Sequence, residues 1–510
     1  MSVKRKLVLN TIFVSIPRAL SWVLTLFVTP YVVGQLGISL FGVWSLLFSL
    51  SLYFFLADFG FASSIARFVA EADATRNDER LSQIFSVALW FYAALSLALV
   101  TATLAWQKEI RAFFRIELSD DPSLDLAYVA TIFGCACSLL AMAFSQILEG
   151  LQKMNVSGSI SSIGILAMNV ASAIAVGLGF GVAGLAVVFA AANFLTLVAA
   201  LAAIWKSVPN LRLKPFETSL FKAMLKYGAQ LHVSMLAFIL VVRTESPIIS
   251  SVLGATAVGY YRLANGLAGL SRDLPSLLVG ALLPTATMLH ASARRDELKR
   301  LYERANAYLA FFAFSVSAFF FCFADALLRL WLDSDEFRLA ALPMRLMTVG
   351  FCANVLTSAT ISLTRAMGLT RQELVVNLVI VVSHVGLNVA LLRWLGMSGV
   401  GVATALVLAP ASLSLMALLS PKFEASLLEL CGKIWLPNLL MVAGSSLVAL
   451  GVYALAQEGL RPQEWSIRQE ELVKLLAAGS AFVGTQLVLG ERFGMIRFAD
   501  LRDLLKRKTA

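Results

Sequence analysis

Residues 240–267 read LVVRTESPIISSVLGATAVGYYRLANGL and place charges and glycines inside an apolar background in mid-chain. The N-terminal stretch TPYVVGQLGISLFGVWSLLFSL, residues 29–50, shows a similar pattern. In both, an apolar helix with a proline near its end precedes a tight glycine turn and a second apolar helix. One constant offset in numbering relates Pro30 to Pro247, Gly37 to Gly254, Gly42 to Gly259, Leu46 to Leu263, and Leu50 to Leu267. We call this separation the repeat offset.

The repeat offset also holds at a later turn, where Leu178, Gly179, Gly184 and Ala186 match Leu395, Gly396, Gly401 and Ala403. A register kept over such a distance indicates an internal duplication. We therefore predict an N-lobe of residues 1–206 and a homologous C-lobe of residues 207–420. Residues 421–510 follow as two further helices and a basic tail.

The composition places the chain among membrane proteins. Hydrophobic residues make up 59% of its 510 residues, charged residues make up 14%, and the mean hydropathy is +0.82. These values lie far outside the usage of soluble domains. Apolar runs of about 20 residues, enough to cross about 30 Å of hydrocarbon, recur along the whole chain. Composition alone thus excludes a soluble enzyme or binding domain.

The predicted fold is an all-α polytopic membrane protein with about 14 transmembrane helices, six in each lobe and two at the C-terminus. Because each lobe has an even number of spans, the two copies have the same orientation and form a parallel repeat about the membrane normal. The predicted helices cover residues 9–32, 40–61, 82–105, 126–147, 159–178, 182–204, 229–252, 258–285, 306–331, 343–364, 374–393, 398–418, 436–456 and 471–490.

Lys and Arg residues concentrate in every second loop and in both termini, which predicts that these segments face the cytoplasm. The net charge of +10 follows largely from this bias and favours attraction to anionic membrane lipids rather than to nucleic acid. The basic segments are residues 4–6, 67–80, 206–226, 294–304 and 492–508.

Several chemistries have no support in the sequence. The chain has no G-x-x-x-x-G-K-[ST] loop for ATP, and its five cysteines form no Cys-x-x-Cys pair. No cluster of His, Asp and Glu has metal-ligand spacing. We expect no cofactor, no bound metal and no enzymatic activity.

Ionisable residues within predicted helices are informative, because each costs about 2.5–3.5 kcal/mol at mid-membrane. Arg18 lies well inside the first helix. In the seventh helix, His232 and Arg243 are separated by about three turns and share a face. Glu245 points elsewhere and needs a partner on another helix or water, so it is a candidate for ion coupling through changes in its pKa.

The eighth helix has the longest polar stripe, with Asn265, Arg272 and Asp273 following Arg262 on one face. This stripe either lines a hydrated cavity or forms a structural ion pair, such as Arg243 with Asp273. Asp58 either holds a loop or takes part in transport. His384 either titrates near neutral pH or forms a hydrogen bond between helices.

Three stretches resemble the Wzx-type polysaccharide flippases of the multidrug/oligosaccharidyl-lipid/polysaccharide exporter superfamily. They are PYVVGQLGISLFGVWSLLFSLSLYFFLADFGFASSIARFVAEA at residues 30–72, ILEGLQKMN at 147–155 and LGATAVGYYRLA at 253–264. The resemblance implies two six-helix bundles around a central cavity, two additional helices, and alternating access.

The resemblance also implies the cargo, an oligosaccharide linked by diphosphate to a polyprenol and moved from the cytoplasmic to the periplasmic leaflet of a bacterial inner membrane. It implies that Arg18, Arg243, Arg262 and Arg272 bind the diphosphate. Glu245, Asp273, Asp58 and His232 are the candidates for coupling or ion pairing. Polysaccharide polymerase and chain-length proteins are further expected partners.

Two other functions stay open at this point. An ion-coupled multidrug exporter of the same superfamily would export organic cations, and acidic rather than basic cavity residues would be expected. A membrane polysaccharide polymerase or ligase usually needs a large periplasmic catalytic loop, whereas the longest outward loop here, residues 107–125, is short.

Overall fold

A computed structural model describes residues 3–115, 122–229, 245–279, 282–369, 371–459 and 465–492, without the side chains of residues 3–23 and 284. Throughout these ranges the regular structure is helical and no strand occurs, which confirms the predicted all-α class. The helices up to residue 253 are α1 Val3–Leu56, α2 Phe61–Ala74, α3 Asp78–Ala105, α4 Gln107–Phe113, α5 Pro122–Gly150, α6 Met154–Gly177, α7 Gly181–Ser207, α8 218–229 and α9 Glu245–Leu253.

The helices after residue 253 are α10 Ala255–Ser276, α11 Leu282–Ala291, α12 Arg295–Cys322, α13 Ala324–Leu332, α14 Ala341–Leu356, α15 Ser358–Ala366, α16 Arg371–Leu395, α17 Met397–Leu419, α18 Leu427–Leu430, α19 Leu436–Gly459 and α20 Ile467–Arg492. Two of them, α15 and α18, are short and continue neighbouring longer helices.

Eleven helical segments among the described residues are long and apolar enough to cross a membrane. One of them, Leu24–Leu56, contains parts of the first two predicted spans, because α1 continues through a bend at Gly37. The seventh predicted span lies largely in residues 230–244, outside the description, and the eighth corresponds to α10, which is rich in charge. The segments therefore agree with the prediction of about 14 spans.

The duplication is visible in the helix boundaries. α3 begins at Asp78 and ends at Ala105, and α12 begins at Arg295 and ends at Cys322, so the repeat offset separates both their starts and their ends. α6 begins at Met154, and the residue that the same offset relates to it, Arg371, is the first described residue of α16. The internal repeat is thus visible at the level of individual helices, and the parallel orientation of its two copies stays a prediction.

Turns repeat as well as helices. Gly37 and Gly254 adopt φ angles of 74° and 84°, and Gly179 and Gly396 adopt 82° and 57°. A left-handed conformation is readily adopted by glycine, since a Cβ atom disfavours it. These are the glycines that the repeat identified in the sequence, so they mark the same turn in each copy.

The chain divides into two compact units, Met1–Gly259 and Tyr260–Ala510. In unit 1, the central helix α5 packs against α2, α3 and α7. In unit 2, α14 packs against α12 and α17, the helices equivalent to α3 and α7. The lobe boundaries at residues 206 and 420 stay a prediction.

Within unit 1, the second half of α1 crosses the start of α10 with direct backbone contact. A Cβ atom at Gly42 would clash with the carbonyl oxygen of Ala255, and one at Gly259 would lie 2.5 Å from the carbonyl oxygen of Ile38. Ile38 and Ala255 are themselves related by the repeat offset, so the contact is reciprocal. Each copy contributes a glycine that allows the other copy's backbone to approach.

Candidate functional site

α10 places the polar stripe of the sequence on a continuous helix. Arg262, Asn265, Arg272 and Asp273 are all half-buried. Arg272 Nε lies 2.9 Å from Asp273 Oδ1, and its guanidinium carbon lies 5.1 Å from the centre of the Phe351 ring. The carboxylate and the ring thus hold the guanidinium from two sides.

The guanidinium group of Arg272 can still donate hydrogen bonds through its two Nη atoms. Its ion pair with Asp273 uses Nε, and within the described part of the chain neither Nη atom has a hydrogen-bond partner. The side chain is 28% exposed. A planar guanidinium can donate two parallel hydrogen bonds to phosphate oxygens, so this edge is suited to an anionic group.

Three of the predicted site residues lie outside the described structure. Residues 230–244 include His232 and Arg243, and the side chain of Arg18 is also outside the description. The ion pair of Arg243 with Asp273 therefore stays a prediction.

Glu245 is the first described residue of α9 and is 6% exposed. Residues 230–244, which precede it, lie outside the description. The coupling role that the sequence suggests for this buried carboxylate stays a prediction.

Asp58 lies in the turn between α1 and α2 and is 5% exposed. Its carboxylate accepts hydrogen bonds from the Ala62 backbone N–H at 3.2 and 3.3 Å, and the Tyr92 hydroxyl donates to Oδ1. The first contact satisfies an N–H group of the first turn of α2, and the second ties this turn to α3. These contacts support the loop-holding role considered for Asp58.

His384 links two helices of unit 2. Its Nε2 lies 3.3 Å from Thr404 Oγ1, joining α16 to α17, and its side chain is 1% exposed. This contact agrees with the hydrogen-bonding interpretation of His384.

A buried ionic network on α13, α19 and α20 was missed by the sequence reasoning. Glu471 and Lys474 are 0% and 1% exposed. Glu471 accepts a 2.6 Å hydrogen bond from the Tyr453 hydroxyl and lies 3.1 Å from Arg329 Nη1. Arg329 Nε lies 3.1 Å from Asp335. The signal available in the sequence was the spacing of Glu470, Glu471 and Lys474, which puts the lysine one turn beyond both carboxylates.

Comparison with protein-family models gives a match that covers nearly all of the first half of the chain and extends beyond it. The family described as "Polysaccharide biosynthesis protein" matches residues 7–290, more than half of the 510 residues. The chain belongs to this family. A comparison with curated protein sequences gives no significant match to this member of the polysaccharide biosynthesis family.

Solved structures show which fold this member of the polysaccharide biosynthesis family shares. The lipid II flippase MurJ in an inward closed conformation matches with a TM-score of 0.74 and 16% identity, over 94% of this chain and 99% of that chain. An inward-facing multidrug resistance MATE transporter of the MOP superfamily matches with a TM-score of 0.65 and 16% identity, over 81% and 98%. The fold is that of this transporter superfamily.

A third match is a MOP superfamily transporter from Pyrococcus furiosus Vc1 (DSM3638), described as having a binding pocket of reversed polarity. It has a TM-score of 0.54 and 16% identity, and the match covers 82% of this chain and 94% of that chain. The same fold is thus found in a transporter described as having a binding pocket of different polarity.

Proposed function

We propose that the protein is a flippase that moves a polyprenyl-diphosphate-linked oligosaccharide from the cytoplasmic to the periplasmic leaflet by alternating access. The product would enter the synthesis of a surface polysaccharide such as O-antigen, exopolysaccharide or capsule. The observation that supports this most directly is the basic stripe on α10, in a chain that belongs to a polysaccharide biosynthesis family.

The physical problem is the transfer of a charged, hydroxyl-rich head group through hydrocarbon. Each unpaired polar group costs several kcal/mol in an apolar medium, and the diphosphate costs more. Arginines such as Arg262 and Arg272 offset that cost, because a guanidinium stays charged and pairs with two phosphate oxygens. The polyprenyl chain needs no such help, since it can remain in lipid.

The test is flipping by the purified full-length protein in proteoliposomes. The probe is a short-chain polyprenyl diphosphate carrying a fluorescent sugar, and dithionite in the outer solution reduces only exposed fluorophores. We expect dithionite to reduce about half of the probe in protein-free vesicles and nearly all of it with the flippase. A multidrug exporter would instead leave half of the probe protected and move ethidium.

The proposal includes an orientation, with both termini in the cytoplasm of a bacterium and the protein in its inner membrane. The alternating Lys and Arg bias supports it. Reporter fusions test it: those after Arg80, Lys226, Arg304 and Ala510 should report cytoplasm, and those near Ser119 and Ser334 should report periplasm.

The proposed partners follow from the cargo. A polysaccharide polymerase and chain-length proteins would consume the flipped oligosaccharide, and anionic lipids would surround the basic loops. Cross-linking in membranes that synthesise the polysaccharide tests the protein partners.

A further inference from the structure

Unit 2 contains a cavity of about 470 Å³ between α12, α14, α17 and α19. All four helices belong to segments that are apolar enough to cross a membrane, so the cavity lies at membrane depth. Among the described residues that line it, none is charged, and most of the surface is provided by aliphatic and aromatic side chains.

The rim of the cavity is apolar and accessible. Phe321, Val349, Leu413 and Leu439, one from each helix, are 42%, 45%, 42% and 46% exposed. The lining includes the polar side chains of Ser317, Thr348, Ser412 and Trp435, but they present little polar surface to the cavity. Water inside would therefore meet few of the two to four polar partners that a buried water needs. Hydrocarbon is therefore the suitable occupant.

We propose that this cavity binds one acyl chain of a membrane phospholipid. A dry cavity of about 150 Å³ holds benzene, so a volume about three times larger matches a chain of about 18 carbons. The lining offers no Lys or Arg to a diphosphate, and α10 with its arginines contributes no lining residue. The absence of these charges favours the acyl chain of a phospholipid, whose head group stays at the bilayer surface, and disfavours the polyprenyl chain of the cargo. The inference is independent of the proposed flippase activity.

Trp435 provides a native probe of the site. Its side chain lines the cavity, is 8% exposed, and packs edge-on against Phe314 with ring centres 6.4 Å apart. Because it is buried, Trp435 should contact a lipid chain when the chain enters the cavity. Bromine atoms on an acyl chain quench indole fluorescence only at close range.

The experiment uses the full-length protein in nanodiscs of phosphatidylglycerol with acyl chains that are brominated or not. The fluorescence of Trp435 is obtained by subtracting the emission of the Trp435→Phe variant from the emission of the wild type. We expect brominated chains to reduce this Trp435 fluorescence by at least half. If brominated and unbrominated lipids give the same difference, no chain enters and the proposal is wrong.

Two variants of α17 sharpen the result. Ala409→Phe fills the cavity and should remove most of the quenching, whereas Ala405→Phe, one turn away, half-buried and not part of the lining, should preserve it. Equal quenching in both variants would contradict the site. If Ala409→Phe does not fold, as judged by size-exclusion chromatography, the comparison with Trp435→Phe still decides.

A titration distinguishes a phospholipid acyl chain from a polyprenyl chain as the occupant of the cavity. Unbrominated polyprenyl phosphate is added to the brominated nanodiscs at up to a few per cent of the lipid. For a phospholipid site, the quenching of Trp435 should change by less than a tenth. Recovery of the emission at these low amounts would show that the cavity prefers the prenyl chain and would overturn the assignment to phospholipid.

Discussion

The two repeats have the same backbone register but differ in where their charges lie. By the repeat offset, Arg262, Arg272 and Asp273 on α10 occupy the positions that Ser45, Phe55 and Leu56 occupy on α1. Glu245 likewise corresponds to Val28. The first copy forms the same helices and turns without these charges.

This difference separates the needs of folding from those of function. Intramembrane charges are costly, and the first repeat shows that this helix arrangement does not require them. The charges of the second repeat are therefore best explained by a ligand, a coupled ion or a local ion pair. These explanations can be distinguished by substitutions that give one copy the residues of the other copy.

The largest effect is expected from giving α10 the residues of α1. The double variant Arg262→Ser with Arg272→Phe should keep its membrane level but lower the initial flipping rate in proteoliposomes about 100-fold or more. The reason is the loss of charge-assisted hydrogen bonds, each worth about 1.5–3 kcal/mol.

The matched control removes one exposed arginine that lies outside the stripe. Arg294 pairs with Glu297 at 3.5 Å and is 60% exposed, so Arg294→Gln should flip at the wild-type rate. Arg272→Lys should retain part of the activity, because an ammonium keeps the charge but not the fork. Wild-type flipping by the double variant would place diphosphate recognition elsewhere.

Glu245→Gln should produce the next largest effect. Gln preserves size and hydrogen bonding without charge, so we expect flipping to proceed at one rate with and without a pH gradient while substrate binding survives. Proteoliposomes with and without the gradient measure this. A lower thermal midpoint that is restored by neutralising a nearby arginine would instead identify a fixed ion pair.

The reciprocal helix crossing predicts a penalty for an added methyl group in each copy. Gly42→Ala and Gly259→Ala each place a methyl group against the backbone of the other copy, at a cost of about 1–3 kcal/mol. Both should lower the midpoint of thermal unfolding in detergent. Gly34→Ala is the control, because a Cβ there has nothing within 4 Å. Unchanged midpoints would mean that the crossing is not tightly packed.

The smallest effect concerns one position that is apolar in unit 1 and polar in unit 2. Phe85 stacks on Phe144 with ring centres 5.7 Å apart, whereas Tyr302, its equivalent in the second copy, shares hydrogen bonds with Ser420 at 2.7 Å and Thr360 at 3.1 Å. Tyr302→Phe should lower the stability of the protein by about 0.5–1.5 kcal/mol per lost bond. Thermal unfolding measures this change in stability. If Tyr302→Phe is as stable as the wild type, the hydroxyl group is dispensable.

Much of the fold was predictable because it depends on local patterns. The spacing of Gly37 and Gly254 identified the repeat, and apolar runs located the spans. The prediction did not foresee that α1 runs on through Gly37, since a glycine beside a turn signal indicates equally a bend or a break. α2 was also missed, because the turn around Asp58 ends the apolar run and begins an amphipathic helix.

Less of the candidate site was predictable, because side-chain pairing depends on tertiary contacts. The stripe on α10 follows from helical periodicity, but the contact of Arg272 with Phe351 joins helices that are distant in sequence. The same holds for Arg329 and Glu471. The periodicity of a helix does not indicate which charged residue on another helix will neutralise a given charged side chain.

The pairing of Arg329 with Glu471 also bears on the order in which the protein is made. Ribosomes synthesise α13 well before α20, so during insertion Arg329 has Asp335 nearby but not the buried carboxylate that completes its neutralisation. The last helix therefore completes an ionic network that began with α13, after all the intervening helices have been made. A nascent chain that stops short of α20 lacks Glu471 and leaves Arg329 with Asp335 alone.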